Sequence, residues 1–335
     1  MAEFRREVGL GDLLVLGATA IWSVNVVVVK LALHDTGPLT YSALRYLVGG
    51  SVLLGLALWL DGPLPRLRGN DWWLVAALAL SGVLVNQSSF TGSLALTNAD
   101  NVAMISGTTP LLVALWVALR QRQRFRARVW VGLAVGLLGL FLVVGAGSAA
   151  WSSWLDVVVA LGNPVSWAVY LLLLPRLLGR YRPLALAAMI NLLGAAMLLP
   201  FGVAEAVAQR PEPTVGWLGL LAYSSLGAVG ITTWMYLPGV RRLGPARTAV
   251  YSYLQPFLTL LAALLIVGEP ILPLQLLGGV IMLVGVVLGR PSPRPSAGVP
   301  AVSEHEPVAA AEGATGYVVS SSPSDGGGGV NRTFG

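Results

Sequence analysis

Ten runs of predominantly apolar residues follow one another along the chain, at 12–33, 39–60, 72–95, 99–119, 129–147, 154–174, 183–204, 215–238, 244–266 and 271–289. Each is close to the roughly 20 residues that carry a helix across the hydrocarbon core of a bilayer. The breaks between them are short and rich in Gly, Pro, Arg and Asp, residues that end helices and form turns. The pattern predicts an all-α polytopic membrane protein with ten transmembrane helices. Arg5 and Arg6 precede the first run, and Ala18-Thr19-Ala20 resembles a signal-peptide cleavage site. The apolar stretch nevertheless continues through Val29, beyond the roughly 7–15 residues of a signal-peptide core, so it is read as a span. After Arg290 the composition turns to Pro, Ser, Ala and Gly. Such a segment buries too little apolar surface to offset chain entropy, so 290–335 is expected to be a disordered tail.

Composition agrees: 56% of the 335 residues are hydrophobic and 11% charged, against roughly 25% charged in a soluble domain. The placement of the charges says more. Seventeen of the 21 basic residues fall in segments that a ten-span count puts on one side: Arg5, Arg6, Arg66, Arg68, Arg120, Arg122, Arg124, Arg126, Arg128, Arg176, Arg180, Arg182, Arg241, Arg242, Arg247, Arg290 and Arg294. Lys30 and Arg210 fall on the other side, Arg45 lies inside the second span, and Arg332 is in the tail. Short cytoplasmic loops are enriched in Lys and Arg, so both termini are expected in the cytoplasm. The net charge of +6 then reflects topology. A nucleic-acid footprint would gather the charge into one patch, and no nucleic-acid partner is expected. Twenty Arg beside a single Lys, with abundant Ala and Gly, point to a GC-rich bacterial source and to the cell inner membrane.

Sliding the chain against itself reveals a repeat. At an offset of 146, Ala103, Ser106, Pro110, Leu112, Leu115 and Leu119 meet Ala249, Ser252, Pro256, Leu258, Leu261 and Leu265; Gly132, Leu137 and Gly139 meet Gly278, Leu283 and Gly285. At 145, Gly17 and Trp22 meet Gly162 and Trp167. The chain divides into a cytoplasmic N-terminus (1–11), two five-span units (12–147 and 154–289) and the cytoplasmic tail (290–335). Because five is odd, consecutive copies cross the membrane in opposite directions. Such inverted repeats are typical of secondary transporters, whose substrate site lies between the halves.

The Gly17-to-Trp22 spacing, Pro38 followed by Arg45, Ala99 to Pro110, Gly162 to Trp167, Gly244 to Pro256, and Gly268-Glu269 followed by Gly278 and Gly285 resemble the EamA-type permeases of the drug/metabolite transporter superfamily. The resemblance covers everything but the tail. It implies ten spans in two repeats and export or exchange of small metabolites. Arg122-Gln123 stands where the second half has Gly268-Glu269, so no role is transferred to that dipeptide.

A polar group in hydrocarbon is costly unless partnered, and residues three or four apart share a helical face. Such faces hold Thr19, Trp22 and Asn25 in span one; Gly82, Asn86, Ser89 and Ser93, beside Gln87, in span three; Asn163, Trp167 and Tyr170 in span six; Gly227, Gly230 and Trp234, near Tyr236, in span eight; and Thr248, Ser252, Gln255 and Thr259 in span nine. Helix–helix packing explains the Ser and Gly positions. For the amides, substrate contact is an equal reading. The candidate substrate-binding residues are Trp22, Asn25, Asn86, Gln87, Asn163, Trp167, Tyr170, Trp234 and Gln255, with the repeat mates Trp22 and Trp167 expected to face each other. Trp59, Trp72, Trp73, Trp130, Trp151, Trp154 and Trp217 lie at span ends, where an interfacial belt explains them. Pro110 and Pro256 are candidate hinges. Lys30, Arg45 and Glu269 are charged candidates on the outer side; Arg45 either snorkels toward water or contacts an anion or carboxylate. Asp12 and Asp156 start spans one and six as helix caps.

The absence of cysteine removes thiol chemistry and Cys-based metal sites. His34 and His305 lie far apart, and the 15 acidic residues avoid the span centres. No catalytic residue, metal or cofactor is expected, no phosphate-binding loop is present, and no buried carboxylate relay points to proton coupling. The expected function is a secondary transporter that exports or exchanges a small neutral or zwitterionic metabolite by alternating access at a central site between the repeats. A nutrient importer of the same fold is the alternative within transport. A non-transporting membrane sensor or assembly protein is the alternative outside it, and the short low-complexity tail suits that role poorly. The expected partners are a small-molecule substrate and the lipid bilayer; a homodimer is compatible with the chain.

Overall fold

A computed structural model describes residues 9–96, 105–120, 125–145, 154–211, 213–268 and 271–289. The described residues belong to one compact unit and are almost wholly helical. Helices α1 (Leu10–Ala32) and α2 (Pro38–Leu60) are uninterrupted. Helix α3 begins at Asp71–Ala79, widens into a π-helical stretch at Leu80–Val85 and resumes at Asn86–Leu96. Helices α4 (Thr109–Arg120), α5 (Ala127–Gly145), α6 (Trp154–Leu173) and α7 (Pro183–Gln209) follow. Helix α8 has the form of α3, with Val215–Ala222, a π-helical Tyr223–Ile231, and Thr232–Leu243. Helix α9 runs through Pro245–Val250, a 3-10 turn at Tyr251–Tyr253, and Leu254–Val267; α10 is Pro273–Gly289.

Local chemistry sets these limits. Pro38, Pro183, Pro245 and Pro273 open α2, α7, α9 and α10, where the fixed proline φ suits a first turn and the missing N–H is not needed. Gly268 ends α9 at φ 77°, a left-handed conformation that costs glycine little.

Among the described residues seven helices, α1, α2, α3, α6, α7, α8 and α9, are long and apolar enough to cross a membrane. Helices α4, α5 and α10 are apolar but shorter. Two of them fall in the expected spans 99–119 and 129–147, whose residues 99–104 and 146–147 lie outside the described residues. The outer surface is apolar, with Trp59, Val207, Val215 and Leu265 strongly exposed, as suits helices that face lipid. Trp59, Trp72 and Trp73 are exposed, whereas Trp217 is buried against Tyr41 and donates from Nε1 to Thr36 Oγ1 at 3.1 Å. A partner for its N–H inside the bundle removes the need for an interfacial position.

The helices pair in a regular way: α2 on α7, α5 on α10, α1 on α8 and α9, and α6 on α3 and α4. Glycine permits the α5–α10 contact. Gly132 faces Gly289, Gly136 faces Gly285, and Gly139 faces Gly278, so the two helices run antiparallel. A Cβ at Gly139 would lie 2.7 Å from the Gly278 carbonyl oxygen, and one at Gly285 would lie 2.4 Å from Gly136 Cα. Small residues of this kind let helix backbones approach closely in an apolar medium.

Gly139→Ala should therefore lower the thermal midpoint of the detergent-solubilised protein, in line with an overpacking cost of about 1–3 kcal/mol. Gly55→Ala, where no atom outside the helix's own backbone lies within 4 Å of the added Cβ, should leave the midpoint unchanged or raise it slightly, since alanine favours a helix over glycine.

Candidate functional site

A cavity of about 270 Å³ lies among α1, α3, α6, α8 and α9, with Arg45 and Tyr46 contributed by α2. One wall is aromatic. Trp22 of α1 and Trp167 of α6 meet edge to face with centroids 5.7 Å apart, and Trp167 stacks on Tyr170 at 4.8 Å. Tyr236 of α8 closes the group, 4.8 Å from Trp22 and 5.8 Å from Trp167. The wall needs small neighbours: a Cβ at Gly82 would lie 2.4 Å from Tyr170 Cδ2. The Trp22 indole donates from Nε1 to the Ala228 carbonyl at 2.9 Å. That carbonyl belongs to the π-helical stretch of α8. Such bulges recur at functional sites, and here the bulge lies against the aromatic wall.

The polar part of the lining belongs to a connected set of amides, hydroxyls and one guanidinium, completed by the buried Ser224 behind it. Ser224 Oγ donates to Asn25 Oδ1 at 2.7 Å and lies 3.4 Å from Arg45 Nη1. Arg45 Nη2 donates to Gln87 Oε1, and Gln87 Nε2 donates to Asn86 Oδ1 at 3.0 Å. Asn86 Nδ2 reaches the Asn163 carbonyl at 3.2 Å, and Ser106 Oγ donates to Asn163 Oδ1 at 2.9 Å. On α9, Thr248, Ser252, Gln255 and Thr259 all face the cavity. Ser23 Oγ donates to the Gln255 carbonyl at 3.3 Å, and Thr259 Oγ1 donates to the Ser23 carbonyl at 3.2 Å, which ties α1 to α9.

Trp22, Asn25, Asn86, Gln87, Asn163, Trp167, Tyr170, Gln255, Pro256 and Arg45 thus line one cavity. Trp234 does not: it is 56% exposed on the outer surface. The spacing that placed it inward assumed an unbroken α-helix, and the π-helical stretch just before it turns the following face. Thr233, Tyr236 and Leu237 line the cavity instead. Lys30 is exposed and away from the cavity. Arg45 does not snorkel outward, because it is 4% exposed inside the bundle. Neither proline interrupts a regular α-helix at its middle. Pro110 is the second residue of α4, and Pro256 the third of the α-helix that follows the 3-10 turn. Prolines are tolerated in a first turn. Glu269 lies outside the described residues.

Asn191 of α7 also lines the cavity, with Nδ2 donating to the Ala187 carbonyl at 2.9 Å. The cost of burying an amide would have singled it out from sequence. Ser106 and Ser224 carry no such signal, since a lone serine in a span reads as helix packing.

Arginine-rich helix ends are joined by Asp12. Its carboxylate takes Arg247 Nη2 at 2.8 Å, Arg247 Nε at 3.0 Å and the Tyr251 hydroxyl at 2.5 Å, and also accepts the Gly9 N–H at 3.0 Å. Asp12 therefore caps α1 and binds α9 at the same time. Among the described residues no three His, Cys, Asp or Glu side chains gather as a metal site.

An apolar helical bundle with a polar and aromatic cavity inside is the architecture of a multi-pass membrane protein that can enclose a small molecule. The chain belongs to the EamA-like transporter family, which matches it twice, at 9–145 and 154–289. An uncharacterized transporter of Archaeoglobus fulgidus is 28% identical over 275 residues, covering 80% of this chain and 93% of that protein. A probable terminal-alkyne amino-acid exporter of Streptantibioticus cattleyicolor is 29% identical over 278 residues, covering 80% and 89%. A crystal structure at 20% identity shares the fold, with a TM-score of 0.68 over 82% of this chain and 94% of that one.

The Asp12–Arg247 side chains are 3% and 8% exposed, and removing one partner of a buried pair costs about 3–5 kcal/mol. Asp12→Asn should destabilise the purified protein by this order in thermal or denaturant unfolding. The double variant Asp12→Asn/Arg247→Gln should recover part of the loss.

Proposed function

We propose that the protein is a secondary transporter of small zwitterionic, amino-acid-like metabolites, working by alternating access around this cavity. The observation that carries the reading is the lining itself: repeat-mate tryptophans packed together, a ring of amides, and no carboxylate among the described lining residues. The aromatic wall suits an apolar or aromatic side chain and can also face an ammonium group. A volume of about 270 Å³ lies just below the roughly 300–1,000 Å³ usual for ligand pockets, which limits the cargo to a small metabolite. The relative named as a probable amino-acid exporter favours export of the same class.

In this reading the chain crosses the inner membrane ten times as two inverted five-helix repeats, with both termini in the cytoplasm. The helix pairing supports it. The contacts of α1 with α8 and α9 have counterparts in those of α6 with α3 and α4, and α2–α7 and α5–α10 map onto themselves. The ion pairs Asp12–Arg247, Asp71–Arg180 and Asp61–Arg182 lie at the end that charge bias assigns to the cytoplasm.

The test is counterflow of amino acids, nucleosides and hydrophobic cations in proteoliposomes. Aromatic and large apolar amino acids should exchange. Trp167→Ala should reduce that flux about tenfold, as expected for losing a stacked aromatic contact. No flux across the whole panel would overturn transport and favour a sensor; flux confined to nucleosides or cations would overturn the substrate class.

A further inference from the structure

Arg45 sits in the cavity 5.3 Å from the centroid of the Tyr46 ring, and no carboxylate is among the described residues of the lining. Its guanidinium carries five N–H donors, yet its hydrogen-bonding partners are Gln87 and Ser224, both neutral. Its Nε is buried with no hydrogen-bond partner. Among the described residues the carboxylates of neighbouring helices are engaged elsewhere, Asp12 by Arg247 and Tyr251, Asp71 by Arg180 and Tyr181, Glu205 by Thr40. The two neutral partners are themselves held: Gln87 donates to Asn86, and Ser224 donates to Asn25. They orient the guanidinium but bring no negative charge to it, and the Tyr46 ring beside it offers only a π face. A buried charge in that state is costly, and the planar fork of a guanidinium matches a carboxylate in two parallel hydrogen bonds. The surrounding lining is otherwise aromatic, aliphatic, amide or hydroxyl, with no second charged side chain among the described residues.

We propose that Arg45 binds the carboxylate of the transported metabolite, with Gln87 and Ser224 positioning the guanidinium and the wall of Trp22, Trp167, Tyr170 and Tyr236 taking the remainder of the molecule. This deepens the transport reading above and rests on it. The substrate completes the hydrogen bonding of Arg45 and brings the one charge that the lining lacks. The cavity then selects for a carboxylate by compensating a cation already in place, and for an apolar or aromatic body by contact with the rings.

The experiment uses the full-length protein in two assays, with L-phenylalanine, L-phenylalaninamide, phenethylamine and inorganic phosphate as probes. In detergent, phenylalanine should raise the thermal midpoint, and the amide, the amine and phosphate should not. In proteoliposomes the same order should hold for counterflow. Arg45→Gln should weaken phenylalanine binding by at least about tenfold, the loss expected for a charge-assisted bidentate contact. Arg45→Lys should retain part of it. The wild-type preference keeps the test independent of whether either variant folds. Equal stabilisation by phenylalanine and its amide, or by neither, overturns the carboxylate site. Stabilisation by phosphate as strong as by phenylalanine also overturns it, in favour of a general anion or lipid-phosphate site. A carboxylate preference in binding without flux overturns transport and leaves the site standing. Flux without that preference does the reverse.

Discussion

A polar atom inside an apolar bundle has to find its partner within the bundle, because neither lipid nor bulk water supplies one. In this protein that requirement links Asn25, Ser224, Arg45, Gln87, Asn86, Asn163 and Ser106 into one connected set. Its members come from α1, α8, α2, α3 and α6, together with the turn before α4. An ordinary hydrogen bond contributes only about 0.5–1.5 kcal/mol net, but a buried group left unmade costs more. The set therefore dictates which face of each helix turns inward. The cavity is the place where those faces meet, and its polarity follows from the same bonds that hold the helices in register.

Backbone irregularity works with this constraint. The π-helical stretches of α3 and α8, Leu80–Val85 and Tyr223–Ile231, lie beside the cavity, and each shifts the phase of the residues that follow. The first puts Asn86 and Gln87 side by side in the lining; the second brings Thr233 and Tyr236 inward. The 3-10 turn of α9 separates Arg247, at the arginine-rich end, from Gln255 and Thr259 in the lining. Away from the cavity the helices are regular, and at α5–α10 they touch backbone to backbone through glycine.

Much of this was legible in the sequence, for physical reasons that also mark the limit. Long apolar runs marked where helices form; among the described residues seven of those helices are long and apolar enough to cross a membrane and three are shorter. Polar residues three and four apart, such as Thr248, Ser252, Gln255 and Thr259, share a face whatever the helix packs against, so their common lining could be read from spacing alone. Trp234 could not be placed that way, because an inserted π-helical stretch has no plain sequence mark and rotates everything after it. The direction of Arg45 was equally hidden. Its depth allows the stem to reach water, and only the positions of Gln87 and Ser224, 42 and 179 residues away, decide that it turns inward. Asp12 shows both sides: its capping of α1 is local and readable, while its bond to Arg247, 235 residues distant, belongs to the tertiary fold.

The contacts between helices differ in how far they can yield, and this bears on any exchange of the cavity between two sides. At α5–α10 a Cβ has no room, so sliding would drive backbone into backbone. The ties of α1 to α9 are of another kind: hydroxyl-to-carbonyl bonds at Ser23 and Thr259, and one ion pair at Asp12–Arg247. Hydroxyl bonds can be remade one turn away at small cost, since every turn of a helix presents carbonyls, whereas a buried ion pair opens only if water or another charge replaces the partner. Under alternating access, the α5–α10 pair would then serve as the fixed frame and α1 and α9 as the parts that shift, with hydration of Asp12 and Arg247 as the costly step. In that scheme a substrate held in the lining between α1, α6 and α9 would contact the shifting helices directly, so its binding free energy would be available at the point where that cost arises.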